Sequence, residues 1–253
     1  MAALAGRHAV VTGGSRGIGR AVAAALSGAG ATVTVVGRSE ASLKEAVAHG
    51  HAKEFVAADV TDARALGDGI ARAAARHGPV DILIANAGGA ESAPFAKTDP
   101  ELFRRMFDLN LMGTVHAVRA VLGGMAARGF GRIVAVASTA GLKGYAYVSA
   151  YCAAKHAVVG LVRSLALETA TSGITVNAVC PGYTETDLVR ENAQRIAAKT
   201  GRPADEAIAA MVENNPLGRL IRPEEVAGAV LFLCSAEAAA ITGATISVAG
   251  GEV

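Results

Sequence analysis

The stretch Thr12-Gly13-Gly14-Ser15-Arg16-Gly17-Ile18-Gly19 joins a short apolar, β-branched segment to a segment with helical spacing. A glycine-rich turn in this position lets the backbone approach a pyrophosphate, and the N–H groups of the following helix N-terminus face its negative charge. Alone, the turn is a weak signal, because ordinary tight strand-to-helix connections also contain glycines, and its GxxxGxG spacing departs from GxGxxG. We expect these residues of the turn to contact a dinucleotide: Gly13, Ser15, Arg16, Gly17, Ile18 and Gly19.

Short apolar segments rich in β-branched residues recur along the whole chain and predict seven strands: 8–11, 31–36, 54–57, 82–84, 132–136, 175–179 and 245–248. Segments with helical spacing lie between most of them: 19–29, 42–49, 63–77, 101–125 and 150–172. This alternation predicts a parallel sheet, and nearly continuous hydrophobicity is typical of strands covered on both faces. The predicted fold class is therefore α/β, a Rossmann-type doubly wound seven-stranded parallel sheet flanked by helices.

The composition favours one globular domain over residues 1–253, because 52% of the residues are hydrophobic and only 18% are charged. Within it, residues 183–220 are richer in charge and contain proline turns, so we expect a small substrate lid there. A net charge of +2 without basic runs argues against nucleic-acid binding. No apolar stretch is long enough for a membrane span and no signal-peptide pattern is seen, so we expect a cytoplasmic protein. The three cysteines and six histidines lack metal-ligand spacing, and we expect no metal site.

The end of the second predicted strand bears on which cofactor the dinucleotide site takes. An NAD-specific site usually has an acidic residue here for the ribose hydroxyls, whereas this chain has Arg38 and Ser39. Arg38, together with Arg16 of the turn, favours the 2′-phosphate of NADP(H) over NAD(H). In the alternative, both arginines are solvated and Glu40 turns toward the ribose. After the third strand, Asp59 and Val60 are expected beneath the adenine, unless Asp59 merely begins the next helix.

Tyr151 and Lys155 are four residues apart at the start of a long apolar helix, so their side chains share one face. A phenol is a poor base near neutral pH, but a cation close by favours the phenolate and lowers its pKa. Ser138 follows the fifth strand, at the carboxyl edge where parallel sheets bind ligands, and its hydroxyl is suited to hold a carbonyl oxygen. Each signal is weak alone, since Tyr–Lys pairs at this spacing and strand-end serines are common; together with the glycine-rich turn they indicate an active site.

With these residues the sequence resembles the short-chain dehydrogenase/reductase family over nearly its whole length. Residues 12–19 are similar to the family's cofactor turn, and Asn86-Ala87-Gly88 to its sheet-stabilising NAG motif, with Ala85 in place of a frequent asparagine. Pro181-Gly182 and the following Thr184 and Thr186 resemble the segment that contacts the nicotinamide carboxamide. Four residues match the family's catalytic tetrad: Asn110, Ser138, Tyr151 and Lys155.

The resemblance implies a role for each tetrad residue. Tyr151 would exchange a proton with the substrate oxygen while hydride moves between cofactor and carbon, and Ser138 would polarise that oxygen. Lys155 would hold the nicotinamide ribose and lower the pKa of Tyr151, and Asn110 would hold a water that relays protons. The resemblance also implies a homotetramer.

The substrate is less well defined by the sequence. Residues from Ser138 onward resemble bacterial reductases of 3-oxoacyl thioesters or polyketides, with pocket residues expected among Lys143, Tyr145, Tyr147 and Tyr183. We therefore expect a small-molecule carbonyl or alcohol substrate, with a thioester favoured. Two alternatives stay open, namely an NAD-dependent dehydrogenase of secondary or cyclic alcohols, and a non-catalytic dinucleotide sensor.

Overall fold

Seven parallel strands form one sheet in the order β3-β2-β1-β4-β5-β6-β7 in the computed structural model, which describes residues 3–201, 203–213 and 215–253. The strands are β1 His8–Thr12, β2 Thr32–Gly37, β3 Glu54–Ala57, β4 Ile82–Ala85, β5 Gly131–Val136, β6 Ile174–Pro181 and β7 Thr245–Val248. The strand order reverses direction between β1 and β4, where an open α/β sheet leaves a crevice at its carboxyl edge. The predicted fold class is confirmed.

Helices cover both faces of the sheet, as right-handed crossovers between parallel strands require. The helices are α1 Gly17–Gly28, α2 Glu40–Ala48, α3 Ala63–His77, α4 Pro100–Phe107, α5 Gly113–Arg128, α6 Ser149–Thr169, α7 Asp187–Thr200, α8 Ala204–Val212 and α9 Pro223–Cys234. Side chains of α1, α2 and α9 form one core with the sheet, and those of α3, α5 and α6 form the other. Because both faces are covered, β1, β4, β5 and β6 are buried along their whole length.

The prediction of one continuous helix over residues 101–125 is wrong. A π-helical turn at Asp108–Met112 separates α4 from α5, and Asn110 lies at its centre, fully buried. Single π turns inside α-helices often mark functional positions because they redirect one side chain. Here the turn directs a polar residue of an otherwise amphipathic helix into the core beside the carboxyl edge of the sheet.

The predicted lid, residues 183–220, contains α7 and α8, and its Arg202 and Asn214 lie outside the described residues. In the part of the chain that the structure describes, no helix is long and apolar enough to cross a membrane. The same residues contain no group of three or more His, Cys, Asp or Glu side chains placed to hold a metal ion. Cys152, Cys180 and Cys234 are buried free thiols.

Candidate active site

A cleft of about 1060 Å³ lies across the carboxyl ends of the strands. Its walls come from the loops after β1 to β6, the positions where a doubly wound sheet binds its ligand. All predicted cofactor residues line it: Gly13, Ser15, Arg16, Gly17, Ile18, Gly19, Arg38, Ser39, Asp59, Val60, Asn86, Ala87, Gly88, Tyr151, Lys155, Pro181, Gly182, Thr184 and Thr186. The structure therefore brings segments from six different loops to one place.

The glycine-rich turn is held by Asn86, which follows β4. The side-chain amide of Asn86 donates to the carbonyls of Thr12 at 2.9 Å and Gly13 at 3.2 Å. In return, Thr12 Oγ1 accepts from the backbone N–H groups of Asn86 and Ala87. A Cβ at Gly19 would stand 2.2 Å from the Gly13 carbonyl oxygen, so only glycine allows the turn to close this tightly on the helix. Asn86 thus acts on the cofactor site by fixing the turn.

The two arginines expected at a 2′-phosphate both border the cleft with largely exposed side chains. Arg38 is 3.9 Å from a carboxylate oxygen of Asp59, and Arg16 is 4.0 Å from one of Glu191, distances that leave both guanidinium groups free to bind an anion. Glu40 instead pairs with Lys44 at 2.8 Å along α2 and is absent from the described cleft lining. The two exposed arginines and the ion pair that engages Glu40 therefore fit a ribose with a 2′-phosphate better than a ribose whose hydroxyls bind Glu40.

Asp59 and Val60, which are expected beneath the adenine, line the cleft after β3. Asp59 accepts from the backbone N–H and the hydroxyl of Thr61, and these bonds hold the pKa of its carboxyl below its usual range. The helix that follows is capped by Asp62, so Asp59 does not begin it. Ser39 caps α2 in the same way while also bordering the cleft.

Ser138 lies two residues beyond β5 and is fixed at the edge of the cleft. Its hydroxyl oxygen accepts from the backbone N–H of Ala140 at 3.1 Å and so caps a short 3-10 helix over Thr139–Gly141. The serine is therefore both a cap and a cleft residue, and the cap orients the hydroxyl that faces Tyr151.

Lys155 is buried and Tyr151 is partly buried in the cleft, with Lys155 Nζ 5.7 Å from the centre of the Tyr151 ring. Burial raises the pKa of Tyr151 to about 12, although the Ser138 hydroxyl partly opposes the shift. Burial also lowers the pKa of Lys155 to about 8, and Lys155 donates to the carbonyl of Val136 at 2.9 Å. The pKa of Tyr151 is therefore raised where the sequence predicted that Lys155 would lower it, because loss of water on burial has the largest effect on the phenol.

Asn110 stands behind the cleft and is absent from the described lining. Its amide donates to the carbonyls of Gly89 and Met106, both at 3.0 Å, and its Oδ1 accepts from Gly89 N–H at 3.2 Å. A Cβ at Gly88 would stand 2.6 Å from Asn110 Oδ1 and 3.4 Å from Lys155 Nζ. Asn110 therefore fixes the NAG segment next to Lys155, and its predicted water-relay role stays a prediction.

The sequence model of the family described as short chain dehydrogenase matches residues 7–197. The chain belongs to the short chain dehydrogenase family. This confirms the resemblance and makes the chain an oxidoreductase that acts on a carbonyl or alcohol.

Individual members of the family are similar over almost the entire chain. Acetoacetyl-CoA reductase of Rhizobium meliloti (strain 1021) is 42% identical over 246 residues, covering 97% of this chain and 98% of the reductase. Cis-4-hydroxycyclohexanecarboxylate dehydrogenase of Sinomonas cyclohexanicum is 43% identical over 256 residues, covering 98% and 97%. A crystal structure of a variant of actinorhodin polyketide ketoreductase with NADPH is 36% identical, covers 97% of both chains and has a TM-score of 0.93.

The substrate end of this short chain dehydrogenase site lies beyond Tyr151, where Tyr145 and Tyr183 line the cleft with their rings edge to face, 6.2 Å apart. Of the four pocket residues expected there, Lys143 and Tyr147 are absent from the described cleft lining, and Tyr147 is 66% exposed. Glu252 was not predicted from the sequence. Its side chain is buried and accepts from Tyr145 and Lys143. Its only sequence signal is the glycine pair that precedes it, which indicates a turn but no partner.

Proposed function

We propose that this short chain dehydrogenase is an NADP(H)-dependent reductase of ketones, with a 3-oxoacyl thioester as its substrate. The observation that carries the proposal is one cleft with two cationic side chains, Arg16 and Arg38, at one end and Ser138, Tyr151 and Lys155 at the other. The first group suits a phosphorylated dinucleotide, and the second suits proton transfer to a carbonyl oxygen.

NADP(H), when bound along this cleft, supplies or accepts the hydride at the substrate carbon. A pKa of about 12 keeps Tyr151 protonated at neutral pH, so its phenol is a proton donor for the carbonyl oxygen during reduction. The Ser138 hydroxyl donates a second hydrogen bond to the same oxygen, oriented by the bond from Ala140 N–H. Both donors are in place before the reaction, so they favour the developing negative charge without reorganisation.

Lys155 completes the proton chemistry. Its ammonium has three donors, of which one is engaged by Val136, so the others are available to the cofactor ribose and to Tyr151. When Tyr151 has given up its proton, the ammonium stabilises the phenolate until a proton from solvent restores the phenol. Asn110 supports this step by fixing Gly88 and Gly89 against Lys155.

The relatives support a carbonyl or alcohol as substrate but divide over its type. The acetoacetyl-CoA reductase and the actinorhodin ketoreductase favour a 3-oxoacyl substrate, whereas the cyclohexanecarboxylate dehydrogenase is equally similar. An alcohol dehydrogenase of the last kind is therefore the second candidate. Glu40 pairs with Lys44 and so lies away from the ribose end, which favours the NADP(H)-dependent reductase over an NAD-dependent dehydrogenase.

The test is a kinetic comparison of NADPH with NADH, using acetoacetyl-CoA, cyclic ketones and secondary alcohols, followed by absorbance of the reduced cofactor. We expect rapid oxidation of NADPH with acetoacetyl-CoA. Tyr151→Phe, which keeps the ring and removes the proton donor, should lower kcat by about 10²–10⁴-fold while NADPH still binds. Turnover only with NAD and alcohols would favour the second candidate, and cofactor binding without turnover of any substrate would support the non-catalytic sensor.

We further propose a cytoplasmic homotetramer. The support is the family membership together with unpartnered apolar side chains on the surface, among them Leu167 of α6 and Phe232 of α9. Light scattering of the purified protein tests the assembly: a mass of four chains is expected, and a mass of one or two chains would overturn it.

A further inference from the structure

The C-terminal tail places one carboxylate, that of Glu252, behind Tyr145, which lines the cleft. The side chain of Glu252 is only 2% exposed, which is unusual for a charged group unless it is fully paired. Its Oε1 accepts from the hydroxyl of Tyr145 at 2.6 Å and lies 3.1 Å from Lys143 Nζ. The carboxylate is therefore held by one hydrogen bond and one ion pair, and neither partner belongs to its own segment.

The bonds continue from Glu252 to the catalytic loop. Because the Tyr145 hydroxyl donates to Glu252, it accepts from the hydroxyl of Thr139 at 2.7 Å. Thr139 directly follows Ser138, so the contacts link the C-terminus to the loop that carries a proposed catalytic hydroxyl. Tyr145 in turn meets the ring of Tyr183 edge to face.

The route of the tail is set by a glycine with left-handed backbone. Gly250 has φ of +64°, and a Cβ there would stand 2.2 Å from Asn215 Oδ1 at the end of the predicted lid. The neighbouring Gly182, which lines the cleft, leaves room for Glu252, whose Oε2 would be 3.1 Å from a Cβ there. The tail thus packs against both the lid and the cleft wall.

We propose that Glu252 is a positioning residue for the substrate, which acts by fixing Tyr145, a residue that lines the cleft, while its ion pair with Lys143 holds the carboxylate in place. Glu252 forms no hydrogen bond with Ser138, Tyr151 or Lys155, and its one neighbour among the predicted cofactor residues is Gly182, which has no side chain to be held. We therefore expect it to set how the acyl part of the substrate is held and not the rate of hydride transfer. The inference rests on the proposed reductase function and adds to it a residue that determines substrate affinity.

The test replaces the charge and keeps the shape, with Glu252→Gln, and separates KM from kcat for acetoacetyl-CoA at saturating NADPH. Removing one partner of a buried, charged hydrogen bond typically weakens what it holds by about tenfold. We expect KM to rise about tenfold, kcat to stay within about threefold, and the Kd of NADPH to stay unchanged. Glu237→Gln, which removes an exposed carboxylate away from the cleft, is the matched control and should leave all three constants unchanged.

Tyr145→Phe is the second variant and removes the hydroxyl through which Glu252 acts. It should reproduce the rise in KM, and the double variant should be no worse than either single one, because both changes act on the same contact. Unchanged KM in both variants, or a fall in kcat together with weaker NADPH binding, would overturn the positioning role.

A spectroscopic titration tests the contact without any turnover. Burial raises the pKa of Tyr145 above its usual range, and the bond to Glu252 raises it further. The tyrosinate absorbance of Glu252→Gln should therefore appear at lower pH than in the wild type, and Tyr145→Phe should abolish this difference. If the wild type reduces no thioester, the proposed function fails, and an unchanged titration in Glu252→Gln would independently overturn the inference.

Discussion

The cofactor end of the cleft and its substrate end are assembled in different ways. At the cofactor end, residues 12–19 form one continuous turn at the cleft, and one neighbouring segment, Asn86-Ala87-Gly88, holds them. At the substrate end, Tyr145, Tyr183 and Glu252 come from three loops, and the contact between Tyr145 and Glu252 joins residues 107 positions apart.

The difference has an energetic cause. A turn at a helix N-terminus is determined by local backbone geometry, and few sequences other than glycine-rich ones can adopt it. A wall made of side chains from distant loops depends on which loops the fold brings together, and each loop can change without disturbing the sheet. Recognition of the shared cofactor and discrimination between substrates are therefore expected to respond to different substitutions.

Gly19→Ala should give the largest effect at the cofactor end. The new Cβ would stand 2.2 Å from the Gly13 carbonyl oxygen and 2.5 Å from Asn86 Nδ2, and neither group can move without breaking the turn. We expect a loss of about 2–3 kcal/mol in the free energy of unfolding and at least a tenfold weaker Kd for NADPH. Thermal denaturation and fluorescence titration measure the two quantities.

Gly67→Ala is its control, because Gly67 lies within α3 and has no heavy atom within 4 Å of a new Cβ. Alanine there should stabilise the protein by about 0.5–1 kcal/mol. Should Gly19→Ala bind NADPH with the wild-type Kd, the turn would not control the cofactor end.

The two ends also differ in how far the sequence predicts them. The seven strands and the cofactor turn follow from short-range patterns, hydrophobicity for the strands and glycine spacing for the turn, and the fold class is confirmed. The π turn at Asn110 was not predicted, because the apolar periodicity of residues 101–125 continues through it and no residue type signals the extra residue in the turn. Glu252 was missed because its partner Tyr145 becomes a neighbour only in the folded chain.

The electrostatics of Tyr151 show a second limit of sequence reasoning. The spacing of Tyr151 and Lys155 correctly placed both on one face of a helix, and proximity suggested a lowered phenol pKa. The structure buries Lys155 and partly buries Tyr151, and the loss of water shifts each pKa in the direction that disfavours charge. Spacing along a helix determines which groups are near each other, but burial is determined by the loops that cover them.

Arg38→Ala should give an intermediate effect that is confined to the cofactor end. If the guanidinium binds the 2′-phosphate, its loss removes a charge-assisted contact and should raise the KM for NADPH by about 10- to 100-fold. The KM for NADH and the KM for the ketone should change little, because neither ligand has that phosphate at this position. Steady-state kinetics with each cofactor measure the selectivity.

Arg64→Ala is the matched control for this change, since the Arg64 side chain is 93% exposed on α3 and lies outside the described cleft lining. Equal losses with NADPH and NADH in Arg38→Ala would mean that Arg38 holds a feature common to both cofactors. The selectivity assigned to the cofactor end would then have to come from Arg16.

The smallest effect, on stability alone, is expected at the amino edge of the sheet, opposite the cleft. His8 begins β1 there and is 2% exposed. Its Nδ1–H donates to the Gly78 carbonyl at 2.7 Å, so in the neutral ring its Nε2 accepts from the Thr34 hydroxyl at 2.9 Å. Burial lowers the pKa of His8 below 6.5. Below pH 6.5, His8 is therefore protonated more readily in the unfolded chain than in the folded chain. The stability that the neutral ring contributes is fully present above pH 6.5 and is lost as the pH falls.

His8→Gln removes the titrating group from this edge, so its melting temperature should fall less than that of the wild type between pH 7.5 and pH 5, by a difference of a few degrees. The Kd of NADPH and the KM of the ketone at pH 7.5 should be the same in both proteins, because His8 contacts neither end of the cleft. Parallel melting curves across this pH range would show that His8 accepts its proton equally well in the folded and unfolded chains. A changed Kd would show instead that β1 transmits strain to the glycine-rich turn at its other end, and the cofactor end would then depend on more than its local sequence.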